Sequence, residues 1–74
     1  EAVRIHTTVA MIFESLGDWT RTGISYNNIG GELMKLGNFP EAEETYRNAL
    51  DIFKRHNDRR GIFFTTFNLG QLYQ

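Results

Sequence analysis

Cysteine is absent from this chain, proline occurs once, and neither sign of charge predominates. Without thiols, neither a disulfide framework nor a thiolate metal site can brace the fold, and nothing points to an oxidising compartment. A cytoplasmic setting is the expectation. The longest apolar run, Val9-Ala10-Met11-Ile12-Phe13, falls far short of the roughly 18 residues that suggest a membrane span. Eight basic residues stand against nine acidic ones, for a formal charge of −1. That balance leaves no electrostatic footprint for phosphate backbones or anionic lipid, so neither nucleic acid nor membrane is an expected partner. Seventy-four residues make one small domain at most, marginally stable without staples or neighbours, which excludes large enzymes.

What is present is a repeat. Sliding the chain by 40 residues sets Ala2 over Ala42, Ile12-Phe13 over Ile52-Phe53, Leu16-Gly17-Asp18 over His56-Asn57-Asp58, Asn28 over Asn68, and Ile29-Gly30 over Leu69-Gly70. The matches fall on apolar, glycine and turn positions, which are the ones a stacked helical unit needs. Turn signals divide the chain further. Gly17-Asp18, Gly37-Asn38 and Asn57-Asp58 each combine a residue that ends a helix with one that can cap the next. Asn38, followed by Glu41 three residues later, has the spacing of a capping box, and Pro40 is tolerated in a first turn whose N–H groups lack partners. Four helices are predicted, at about 1–16, 19–36, 39–56 and 59–74, within two to four residues.

Each segment carries an apolar stripe at helical spacing. In the first it is Ala2, Ile5, Val9, Ile12 and Leu16; in the second Tyr26, Ile29, Leu33 and Leu36; in the third Ala42, Tyr46, Ala49, Leu50 and Phe53. Turns this short force neighbouring helices to run antiparallel, with their stripes inward in a two-layer all-α stack. The chain opens on Glu1 without an initiator Met and stops at Gln74 without a terminator. Both ends are read as cuts in a longer protein.

Tyr26-x-x-Ile29-Gly30-x-x-Leu33, then Leu36-Gly37-Asn38-Phe39, then Ala42-x-x-x-Tyr46-x-x-Ala49 resembles the tetratricopeptide repeat at nearly every signature position. The resemblance implies an α-solenoid of antiparallel helix-turn-helix units, a fragment of a right-handed superhelix. Residues 1–18 would be the second helix of one repeat, 19–57 a complete repeat, and 58–74 the first helix of the next. Gly30, Ala42 and Ala49 would sit where helices approach too closely for larger side chains, with Phe39 and Tyr46 filling the holes. The spacing of 40 exceeds the common period of about 34, and Lys54 stands near the usual terminal Pro. In this the chain is similar to the long-period branch found in kinesin light chain, polarity scaffolds, bacterial peptide-pheromone receptors and the sensor arms of signalling ATPases.

Members of that family hold extended peptides or short helices in a groove lined by the first helix of each repeat. Carried over by position, the groove residues are Ile24, Asn27, Asn28, Gly31, Met34 and Lys35, with Phe64, Phe67, Asn68, Gln71 and Gln74. Asn28 and Asn68 are the leading candidates, since an amide both donates and accepts; the alternative is that they bond a neighbouring helix. Phe64 and Phe67 are either anchors for an apolar partner or packing for a further helix, and Met34 reads as a gap-filling core residue ahead of a groove residue. A basic clamp for a terminal carboxylate is not expected, because Asn27, Gly31, Phe67 and Gln71 occupy its positions and only Lys35 is basic.

Nothing in the residues suggests catalysis, a metal or a cofactor. His6 and His56 are far apart, Glu41, Glu43 and Glu44 suit a helix start, and Ser15 and Ser25 lack a nucleophile context. Arg59 and Arg60, with Lys54 and Arg55, flank a turn diluted by Asp51 and Asp58. The expected function is therefore a protein- or peptide-binding module of a scaffold or regulator. The alternatives are an architectural or self-association segment, or the ligand-sensing arm of a signalling regulator. Apolar faces at either end further imply that the fragment self-associates.

Overall fold

The computed structural model describes residues 2–74; Glu1 and the side chain of Ala2 lie outside that description. Four helices follow one another: α1 (Ala2–Ser15), α2 (Trp19–Lys35), α3 (Phe39–Arg55) and α4 (Arg59–Leu72). Strands do not occur among the described residues. The all-α class and the helix positions are as expected, with each end within two residues.

Local chemistry ends each of the first three helices in the same way. Gly17, Gly37 and Asn57 take φ values of +74°, +80° and +54°, a left-handed step that glycine makes without steric cost and asparagine at little. The following amide then reaches back: Asp18 N donates to Phe13 O, Asn38 N to Leu33 O and Asp58 N to Phe53 O, each at 2.9 Å. Gly17, Gly37 and Asn57 donate to the carbonyls of Glu14, Met34 and Lys54 at 3.0–3.2 Å. This double bond pattern satisfies carbonyls that a helix end otherwise leaves open.

The residue that closes one helix also opens the next. Asp18 Oδ1 accepts from Arg21 N at 3.1 Å and Asp58 Oδ1 from Gly61 N at 3.0 Å. A cap of this kind stabilises a helix start by about 1 kcal/mol. Asn38 departs from the expected capping box: its side chain makes no cap bond. Its own amide is already committed to Leu33 O, so Glu41 has no donor to reach for.

Packing centres on α2, which touches α1, α3 and α4, while α3 also packs on α4. The result is a slab measuring 31 × 27 × 14 Å. Two aromatic rings on α3 set its geometry. A Cβ placed on Gly30 would lie 2.5 Å from Tyr46 Cε1, and one placed on Gly23 or Gly61 would come within 2.4 Å or 2.2 Å of a ring carbon of Phe53. Tyr46 thus rests on the bare backbone of α2, and Phe53 is gripped between α2 and α4. Around them Ala42 and Ala49 are fully buried, as are Thr22 and Thr65. Burial pushes the Tyr46 hydroxyl above its ordinary pKa; it donates to Met34 Sδ at 3.5 Å.

Several expected core positions are corrected. Phe39 fills no hole, being half exposed at the first turn of α3, and Leu36 is exposed in the turn beyond α2. Neither helix end extends far enough over its neighbour to cover them. On α1 the buried residue is Ala10, with Val3 packed against the same cluster as Ile29, Leu33 and Ala42. Ile5, Ile12 and Leu16 of the expected stripe instead face out. The helix is apolar on two sides, and the side that meets α2 is the one next to the stripe read from spacing.

At the far end of α4, Tyr73 Oη donates to Glu43 Oε2, and Arg47 Nη2 donates to Tyr73 Oη at 2.9 Å and to Glu43 Oε2 at 3.0 Å. The Tyr73 hydrogen bond, then that of Arg47, holds the Glu43 carboxyl below its usual range. This exposed trio ties the end of α4 to α3.

Gly30→Leu tests the close approach. A side chain there must displace Tyr46 or part the helices, at a cost of about 1–3 kcal/mol or more. We expect the melting transition of the variant, followed by circular dichroism, to drop by several degrees or vanish; a parent-like melt would contradict the packing.

Candidate functional site

The Tyr46 and Phe53 contacts make α3 antiparallel to both α2 and α4. Helices α2 and α4 therefore run in the same direction, side by side, on one face of the slab. The groove residues taken from the sequence lie on these two helices, except Gln74, which is exposed beyond the end of α4, and the structure divides them.

Asn27 belongs to the interior. It is 4% exposed; its Nδ2 donates to Thr65 Oγ1 at 3.0 Å, and its Oδ1 accepts from Asn68 Nδ2 at 3.3 Å. These bonds join α2 to α4 and satisfy the buried amide, which would otherwise cost about 1–3 kcal/mol. Asn68, a leading groove candidate, is thus engaged with the neighbouring helix, the alternative that the sequence left open. Met34 is half-buried and accepts from Tyr46, and Gly31 is half-buried beside it.

The remaining candidates face outward. Asn28 is exposed, and so is Gln71. Lys35 is exposed and pairs with Glu32 at 3.7 Å, a surface contact of small energetic weight. Ile24, Phe64 and Phe67 are 46%, 52% and 56% exposed. Two of these, Ile24 and Phe64, face each other across a hollow of about 520 Å³. Thr20 of α2 and Arg60 and Gly61 of α4 complete its walls, with Asp58 at one end and Phe53 below.

Five of the hollow's residues escaped the sequence reading: Thr20, Phe53, Asp58, Arg60 and Gly61. A signal existed for two of them. Thr20 and Arg60 stand four residues before Ile24 and Phe64, one helical turn away on the same face, and are themselves 40 apart. Gly61 carries no local signal, because its role comes from the ring of Phe53.

In chemical terms the hollow is an apolar notch with a cationic rim. Arg60 makes no ion pair or hydrogen bond within the chain among the described residues, while Asp58 spends one oxygen on the α4 cap. His56 lies apart, stacked on Trp19 with ring centroids 5.1 Å apart. Among the described residues no three His, Asp or Glu side chains gather as a metal site would require. Nor is any described helix long and apolar enough to cross a membrane. Comparisons with protein-family models, with curated proteins and with solved structures give no match.

The split between Asn27 and Asn28 can be measured. Asn27→Ala leaves Thr65 and Asn68 with a vacated partner and should destabilise the chain by about 1–3 kcal/mol. Asn28→Ala, at an exposed site, should stay within about 0.5 kcal/mol of the parent. Urea denaturation reads both values; equal effects would contradict the assignment of Asn27 to the helix contact.

Proposed function

We propose that this chain is a segment of a helical-repeat protein of the tetratricopeptide type, and that it binds a protein or peptide along the α2–α4 face. Residues 19–57 form the complete repeat in this reading, with 1–18 and 58–74 supplying halves of its neighbours in a solenoid. The seating of Tyr46 on Gly30, together with the burial of Ala42 and Ala49, supports the repeat. What carries the binding role is the hollow between Ile24 and Phe64. Apolar side chains on adjacent parallel helices remain open to solvent there, beside a guanidinium without an internal partner.

A partner would insert an apolar side chain over Phe53, displacing water from Ile24 and Phe64. Burying one such side chain contributes about 1.5–3 kcal/mol. Asn28 and Gln71, further along the same two helices, are placed to pair with backbone amides of an extended segment. No cofactor or bond-making step enters this reading.

One observation favours the architectural alternative, in which the repeats space or join other parts. Asn27, Asn68 and Met34 spend their polar capacity inside the stack. A peptide library displayed on phage and panned against the immobilised chain distinguishes the two. Selected peptides should lose about tenfold or more in affinity against an Ile24→Ser, Phe64→Ser double variant of unchanged helicity, equivalent to at least about 1.4 kcal/mol. Their amide shift changes should cluster at residues 20–28 and 60–71. Equal binding to the variant, or failure to select any sequence, would turn the reading to architecture.

A further inference from the structure

Glycine inside a helix is unfavourable relative to alanine, so each one asks for a reason. Of the seven glycines, Gly17 and Gly37 take positive φ, while Gly23, Gly30 and Gly61 each lie against a ring of Tyr46 or Phe53. Gly31 has neither reason. Apart from its own helical backbone, a Cβ there would find only Tyr46 Oη within 4 Å among the described residues, at an ordinary van der Waals separation of 3.8 Å. Its position on α2 is the informative part. Gly31 stands seven residues beyond Ile24, two turns along and within about 20° of the same face, with exposed Asn28 between them. Gly70 is also open, but it lies about 120° round α4 from Phe64, off that face.

We propose that Gly31 is kept bare for the partner: an extended peptide that seats an apolar side chain between Ile24 and Phe64 lays its main chain against α2 at Gly31. This rests on the α2–α4 face being the binding surface, and it adds a register to that reading. Seven helical residues rise about 10.5 Å, a length covered by about three residues of extended chain. The residue over Gly31 is therefore the third from the anchor. Asn28 lies between the two points, where its amide can pair with the intervening backbone.

Charge fixes the other flank of the anchor. At that end of the slab Asp58 Oδ1 caps α4, Asp18 pairs with Arg21, and Asp51 pairs with Arg55. Lys54, Arg59 and Arg60 make no ion pair among the described residues, and Arg60 lines the hollow itself. The occupant is accordingly a peptide with a side-chain carboxylate beside its anchor, on the flank away from Gly31.

An array of synthetic decapeptides, acetylated and amidated so that no terminal charge remains, tests both parts against the intact chain. Each peptide carries a Leu or Phe anchor, Asp or Lys beside it on one flank, and Gly or Val three positions away on the other, in both chain directions. Asp peptides should bind about tenfold or more tightly than their Lys counterparts. Gly31→Ala should melt no lower than the parent yet bind these peptides more weakly, and Gly31→Leu, at parent helicity, should bind them about tenfold or more weakly. Gly70→Ala, equally open but off the face, should bind like the parent. If Gly31→Leu binds as tightly as the parent while the Ile24→Ser, Phe64→Ser double variant loses the peptides, the register is overturned and the groove stands. Equal binding of Asp and Lys peptides, or a lowered melting point for Gly31→Ala, would likewise overturn the proposal. A chain that binds no peptide, or a double variant that binds like the parent, would remove the groove reading and this inference with it.

Discussion

Everything in this molecule hangs on two aromatic rings that a single helix presses against glycine backbone. Tyr46 and Phe53 are seven residues apart, two turns along one side of α3. Tyr46 rests on Gly30, and Phe53 is clasped between Gly23 and Gly61. Glycine inside a helix costs about 1 kcal/mol relative to alanine. Here that cost is offset by ring burial, since truncating a buried aromatic loses about 3–5 kcal/mol. In a chain of this size, with total stability of the order of 5–15 kcal/mol at best, the loss of either ring would remove a large share of it.

The functional face follows from the same constraint. Because Phe53 holds α2 and α4 at once, those helices lie close enough for Asn27 to bond Thr65 and Asn68. The rows that point away from this contact, Thr20 and Ile24 on one helix and Arg60 and Phe64 on the other, become the walls of a hollow with Phe53 as its floor. One ring thus serves both the fold and the proposed binding surface. A change at Phe53 cannot separate the two roles, which is why Ile24 and Phe64 are the informative positions.

Features governed by local chemistry were legible in the sequence. The three turns could be placed because Gly17, Gly37 and Asn57 suit a left-handed step and Asp18 and Asp58 suit a cap, whatever surrounds them. The seat of Tyr46 on Gly30 could be expected from the repeat pattern. Features that depend on which side of a helix meets a neighbour could not. On α1, spacing alone does not choose between the face with Val3 and Ala10 and the face with Ile5 and Ile12, because both are apolar. Asn27 and Asn28 are about 100° apart on α2, and only the position of α4 decides which is buried. Gly23 and Gly61 carry no local signal of their role, which comes from the Phe53 ring packed against them.

Nuclear magnetic resonance of the isolated chain reaches the aromatic–glycine contacts most directly. Ring currents act over a few ångströms, so the α-protons of Gly23, Gly30 and Gly61 should be displaced upfield from ordinary helical glycine values. Those of Gly23 and Gly61 should show cross-relaxation to the Phe53 ring, and those of Gly30 to the ring of Tyr46. Gly70, with its open notch, should show neither effect in dilute solution. Glycine α-protons at ordinary shifts in a fully helical chain, without contacts to either ring, would contradict the account at its centre.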